Sequence, residues 1–157
     1  MPKNILLIQE DSEDAASVRN ALVSSNEGPF QVEWVRLCSE GLERLAGDGR
    51  QRAERTEGFA AVLLDLFLPD SRGIETFDKI FAAAPQIPIL VLIASDDEDV
   101  AKLAVQRGAQ DFLLKGRLDN YWLPKALRSM VERASNGDAL FKERSAPKSR
   151  STPSVTR

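Results

Sequence analysis

The sequence predicts a doubly wound α/β domain, with a five-stranded parallel sheet in the order 2-1-3-4-5 and helices on both faces. Three observations carry this. Short apolar runs alternate with helix-period segments five times within about 135 residues, the pattern of right-handed strand–helix crossovers. Two of the runs, Ile5-Leu6-Leu7-Ile8 and Pro88-Ile89-Leu90-Val91-Leu92-Ile93, are apolar throughout, as in strands covered on both sides. The length of 157 residues, with 43% hydrophobic and 29% charged residues, suits one soluble globular domain with a sizeable core.

Taken in order, Ile5–Ile8 is the first strand. Asp11 to Ser25 has Ala15, Val18 and Leu22 at three- and four-residue spacing and reads as a helix, broken by Asn26-Glu27-Gly28-Pro29. Phe30–Val35 alternates with period two, a half-exposed strand. Ser39 to about Ala46 is the second helix, with Leu42 and Leu45 inward and Ser39 as its cap. The polar stretch from Gly47 to Gly58 reads as a long surface loop or a frayed extension of that helix. Ala60–Leu64 is the third strand and ends at Asp65. A turn-rich Leu68-Pro69-Asp70-Ser71-Arg72-Gly73 leads into a helix from Ile74 to Ala84. Pro88–Ile93 is the most apolar strand and belongs in the centre. Asp96-Asp97-Glu98-Asp99 opens a helix to Gly108, where acids complement the positive end of the helix dipole. Phe112–Leu114 is the last strand and ends at Lys115. Asn120 to about Arg133 is the last helix, with Pro124 near its first turn. Residues 1–135 form one domain, and 136–157 read as a basic tail expected to be disordered.

Composition removes several function classes. There is no histidine, which excludes Ser-His-Asp and Cys-His catalysis, histidine-ligated metals and histidine phosphotransfer within the chain. The single cysteine, Cys38, makes no internal disulfide and no thiolate cage, and reads as a partly buried structural thiol. Its isolation is consistent with a reducing cytoplasm, where the protein is expected. The apolar run near the N-terminus is too short for a signal core or a membrane span. Net charge is −3; the tail from Lys142 onward carries five basic residues against Glu143, leaving −7 on residues 1–141. So acidic a body is a poor partner for nucleic acid, and neither nucleic acid nor membrane is expected as a ligand.

Open doubly wound sheets bind ligands beyond the carboxyl ends of their strands, at the switch in strand order, which in this flavodoxin-like order lies between strands one and three. Strand one delivers Glu10 and Asp11 there, strand three Asp65, and strand five Lys115. Singly, Asp11 suits a helix cap, Asp65 a turn and Lys115 the surface; together they place three carboxylates and an ammonium on one edge. Crowded carboxylates are best neutralised by a hard cation, and an oxygen-only open site suits Mg²⁺. The cation and Lys115 would screen an incoming phosphoryl group, so that a carboxylate can attack phosphorus and form an acyl phosphate.

Glu10-Asp11, Leu63-Leu64-Asp65-Leu66-Phe67-Leu68-Pro69-Asp70 with Gly73, Pro88-Ile89-Leu90-Val91-Leu92-Ile93-Ala94, and Gly108-Ala109-Gln110-Asp111-Phe112-Leu113-Leu114-Lys115-Gly116 together resemble the receiver domain of two-component response regulators, over about residues 3–134. The resemblance implies that Asp65 is the phosphoacceptor, supplied by a partner histidine kinase or histidine phosphotransfer protein. It implies Mg²⁺ held directly by Asp11 and Asp65, by Glu10 through water and by the Phe67 carbonyl, with Lys115 pairing the phosphoryl oxygens. It places Phe112 at the aromatic switch position, with Ala94 N–H able to contact phosphate. A downstream protein effector and homodimerisation, on the face from Asp97 to Arg133, complete the implied partners.

Two residues depart from the family. Ile93 stands where a Thr or Ser is usual, and it has no hydroxyl to donate to the phosphoryl group. Gly116 stands where many relatives have a cis-proline. The first departure motivates an alternative reading, a phosphorylation-independent pseudo-receiver that acts as an interaction module. A haloacid-dehalogenase-type phosphatase fits poorly, because Phe67 occupies the place of its second Asp. A flavin-binding flavodoxin fits poorly too, because no Ser/Thr/Gly-rich phosphate loop follows strand one. Beyond self-catalysed phosphorylation and dephosphorylation of Asp65, no separate enzymatic output is legible. Either the chain is a stand-alone receiver or it is cut from a larger protein. Tyr121 and Trp122, at the start of the last helix, either pack inward or present an aromatic anchor.

Overall fold

A computed structural model describes residues 3–51, 58–117 and 122–145. The expectations for Tyr121, for residues 52–57 and for the tail from 146 onward lie outside the described residues.

The sheet is the one expected. β1 (Lys3–Ile8), β2 (Phe30–Val35), β3 (Phe59–Asp65), β6 (Ile89–Ile93) and β7 (Asp111–Leu114) pair in the order β2-β1-β3-β6-β7, all parallel. β3 holds the middle; the more uniformly apolar β6 lies beside it, interior but off-centre. Every residue of β6 is buried, whereas the edge strands β2 and β7 are only partly so.

The pleat divides the core in two. Leu6, Ile8, Val62, Leu64, Ile89, Val91 and Ile93 join one apolar cluster with Phe77, Ile80, Ala101 and Ala104, from α3 (Ile74–Ala83) and α4 (Glu98–Arg107). Ile5, Leu7, Ala61, Leu63, Leu90 and Leu92 join the other with Val18 and Leu22 of α1 (Ser12–Val23) and Leu123, Leu127 and Met130 of α5 (Trp122–Ser145). Fully burying each such Leu or Ile contributes about 1.5–3 kcal/mol.

Helix bounds show where tertiary structure intervenes. α1 starts at Ser12 because Asp11 caps it, its carboxylate accepting from the N–H groups of Glu13 and Asp14. α2 (Cys38–Gln51) is not capped by Ser39 as expected. Asp70, far along the chain, accepts from both Cys38 N–H (2.8 Å) and Ser39 N–H (2.9 Å), while Glu40 reaches back to the N–H groups of Arg36 and Leu37. α2 then runs past Ala46 to Gln51, the helical one of the two readings for the start of that polar stretch. Cys38 is buried, as anticipated, and burial raises its thiol above the ordinary value.

Between β3 and α3 the chain forms a small antiparallel hairpin of β4 (Phe67–Leu68) and β5 (Ser71–Arg72), where only a turn was expected. Gly73 follows at φ 81°, a conformation that favours glycine, and its N–H closes on Leu66 O. Buried Thr76 hydrogen-bonds Leu66 O and Ser71 Oγ, tying this loop to α3. A 3₁₀ turn (Ser95–Asp97) precedes α4, which ends at Gly108 (φ 135°), against the Phe81 ring. α5 continues beyond Arg133 to Ser145, so the helix takes in residues 136–145, which sequence alone assigned to the tail.

Candidate functional site

Asp65 ends β3 and is 3% exposed. Each of its oxygens has a donor: Phe67 N–H reaches Oδ1 at 2.9 Å, and Lys115 Nζ reaches Oδ2 at 2.8 Å. Lys115 arrives from the 3₁₀ turn (Lys115–Arg117) that follows β7, two strands away. The hairpin explains the first contact, since it folds the Phe67 amide back over the strand end. Phe67 itself is half-buried, with the Arg72 guanidinium 5.6 Å from its ring centre.

Lys115 also faces a residue that sequence reasoning missed. Asp14 Oδ2 lies 3.8 Å from its ammonium. Asp14 is one helical turn after Asp11, and that spacing was the available signal. Its carboxyl is raised above the usual range by burial first, then by the charges of Asp11, Asp65 and Glu13, with Lys115 opposing. This coupling places Asp11, Asp14, Asp65 and Lys115 in one electrostatic cluster.

Asp11 is exposed and serves as the α1 cap, so the cap reading and the site reading describe one residue. Glu10 is exposed beside it. Gln9 is buried; its Oε1 accepts from Asp11 N–H at 3.2 Å, and its carbonyl accepts from Trp34 Nε1–H at 2.6 Å. Among the described residues no three carboxylates close into a metal cage on their own.

The proposed switch residues are spread out. Ile93 is 0% exposed and belongs to the α3–α4 side of the core. Ala94 is exposed, and its carbonyl accepts from Asp97 N–H at the start of the 3₁₀ turn. Phe112 is half-buried against the Ile93 cluster, in register with Val91. Trp122 is 47% exposed, the outward of its two expected settings. A groove of about 590 Å³ lined by Asn4, Arg19, Val23, Phe30 and Val32 opens where β1 and β2 begin, at the opposite end of the sheet from Asp65, and holds none of this chemistry.

The comparisons agree with the fold. Residues 5–128 match the response regulator receiver domain family. The swarming motility regulation protein RssB of Serratia marcescens is 32% identical over 130 residues, which is 83% of this chain and 50% of that protein. The chain thus spans about half the length of that curated relative, and less of others. Full-length FixJ from B. japonicum superposes with TM-score 0.72 at 25% identity, covering 92% of this chain and 66% of FixJ. The phosphorylated cyanobacterial phytochrome response regulator RcpA superposes with TM-score 0.63 at 25% identity, covering 87% of this chain and 96% of RcpA. Receiver domains generally bind Mg²⁺ at the phosphorylation site, and the family works with kinases and effectors. No helix among the described residues is long and apolar enough to cross a membrane. With a match over residues 5–128 on a five-stranded parallel sheet of this order, the chain belongs to the response regulator receiver domain family of two-component systems.

Proposed function

We propose that Asp65 accepts a phosphoryl group from a phosphohistidine on a partner histidine kinase or histidine phosphotransfer protein, with Mg²⁺, and that the chain signals in the cytoplasm by altered binding to a protein effector or to a second copy. The observation that carries this reading is the 2.8 Å contact between Lys115 Nζ and Asp65 Oδ2 at the strand ends.

The donor set fits a hard cation. Glu10, Asp11, Asp65 and the Phe67 carbonyl offer oxygen alone, which suits Mg²⁺ with several waters retained. The charge fits too: four carboxylates, Asp14 included, stand against one lysine, and burial and that repulsion already raise Asp14. When bound, Mg²⁺ supplies positive charge to the phosphoryl oxygens. Phe67 N–H holds the Asp65 carboxylate in a fixed orientation. An Asp65 oxygen attacks phosphorus; the P–N bond of the donor breaks and its electron pair returns to the imidazole. Lys115 transfers its ammonium from Asp65 to the phosphoryl oxygens as charge builds there. Ala94 N–H stands at the adjacent strand end as a further donor, and Phe112 reads the change.

The test is incubation with acetyl phosphate, with and without Mg²⁺, followed by intact mass. The expected result is a Mg²⁺-dependent phosphate adduct that is absent from Asp65→Asn. No adduct, with Mg²⁺ binding also absent by titration, supports instead the pseudo-receiver, a reading motivated by the burial of Ile93 in an apolar cluster.

A further inference from the structure

The geometry points to Gln9 as a further residue of the phosphorylation site, an inference that rests on Asp65 being the phosphoacceptor. Gln9 directly follows β1, and its N–H donates to Val35 O at 3.0 Å, so the backbone is still in the ladder with β2. On the other side, β1 and β3 pair as Leu7↔Leu63 and Ile8↔Leu64; one residue further, Gln9 comes alongside Asp65. The alternation agrees. Ile5 and Leu7 share a cluster with Ala61 and Leu63, so Gln9 and Asp65, next in each series, face the same side of the sheet.

Gln9 is 1% exposed. Its amide orientation is fixed chemically: only Oε1 can accept the Asp11 N–H, and a flipped amide would set two donors against each other. Nε2 is therefore the outstanding group, buried and without an acceptor among the described residues. An orphaned buried donor is rare and unfavourable, and an apolar side chain would suit the unmodified state better. A phosphoryl group brings three strongly accepting oxygens to Asp65 and draws Lys115 toward them. Nε2 donates to an oxygen that enters with that group, while Oε1 holds the Asp11 backbone in place. Gln9 Nε2 thus has no acceptor among the described residues before phosphorylation and gains one with the phosphoryl group.

The test compares the full chain with Gln9→Met and Gln9→Leu, using acetyl phosphate, saturating Mg²⁺ and intact mass, with Asp65→Asn as the blank and a melting curve for each protein. The expected result is a limiting phosphorylation rate lower by about tenfold, from loss of a hydrogen bond to a charged group, together with an unchanged or raised melting temperature. A glutamine needed only for packing would lower the rate and the melting temperature together. Equal limiting rates in the variants overturn the inference and leave the Asp65 assignment standing. A rate that falls only as the folded fraction falls overturns it as well. No Asp65-dependent adduct in the unsubstituted protein overturns the assignment and the inference together.

Discussion

Asp65 and Ile93 end neighbouring strands and are equally hidden from solvent, 3% and 0% exposed, yet they are built in opposite ways. Asp65 has a donor on each oxygen and a cation that can be drawn away. Ile93, one residue past the Leu92 that pairs with Asp65, follows Ile89 and Val91 into the α3–α4 side of the core. Asp65 follows Ala61 and Leu63 toward the α1–α5 side. One position is equipped for chemistry; the other has only shape to offer. Under the proposed function, receiving a phosphoryl group and transmitting its arrival would be separable in this chain, because residues 65 and 93 turn to opposite faces of one sheet.

The strongest way to break the comparison is at the chemical pole. Lys115→Ala removes the cation from Asp65 and is expected to lower the initial rate of phosphorylation by about a hundredfold, the scale seen when one preorganised donor is lost. Initial rates by intact mass check this, with circular dichroism confirming the fold. A rate within a few-fold of the parent would place the catalytic charge elsewhere.

Ile93→Thr sharpens the other pole. The new hydroxyl enters an apolar cluster, so the unmodified variant is expected to lose about 1–3 kcal/mol of stability. If threonine restores the relay, phosphorylation recovers part of that loss, and the gap in melting temperature between the variant and its parent narrows in the phosphorylated proteins. A gap of constant size would mean that position 93 has no path to the phosphoryl group.

The smallest effect concerns the loop that joins the poles to α2. Asp70→Ala is expected to cost about 1 kcal/mol through the lost helix cap. Burial would raise the Asp70 carboxyl, but the N–H groups of Ser39 and Cys38 outweigh it and hold the group below its ordinary value of 3.8. A lowered folded value means the ionised form is the stabilising one. The advantage of the parent over Asp70→Ala is therefore full above 3.8 and fades as the pH falls through the lower folded value. Melting curves of both proteins across acidic pH would show the two converging; parallel curves would remove the cap from the account.

What could be read from the sequence follows from which forces are local. Ile5–Ile8 and Pro88–Ile93 announce buried strands because nothing polar interrupts them, and strand order then brings Asp65 and Lys115 to one edge. Asp14 was passed over because it looks like any acid in a first helical turn; its meaning comes from a lysine that arrives after β7. Asp70 was read as a turn residue, and only tertiary structure shows it capping α2 in place of Ser39. Gln9 opens a polar run and gives no sign that the next strand will bury it. α2 and α5 outrun their expected ends because extending a helix already nucleated and packed, by Leu42 and Leu45 or by Leu123, Leu127 and Met130, requires far less than starting one.

The bond from Trp34 to the Gln9 carbonyl has an optical consequence. The protein has two tryptophans. Trp122 is 47% exposed, on α5. Trp34 is half-buried, its indole N–H fixed 2.6 Å from the carbonyl just ahead of Glu10 and Asp11, with the Arg36 guanidinium 4.9 Å from its ring centre. Indole emission answers to hydrogen bonding and to nearby charge, so the fold has built a fluorophore into the backbone that carries the acid pair, and the site comes with its own dye.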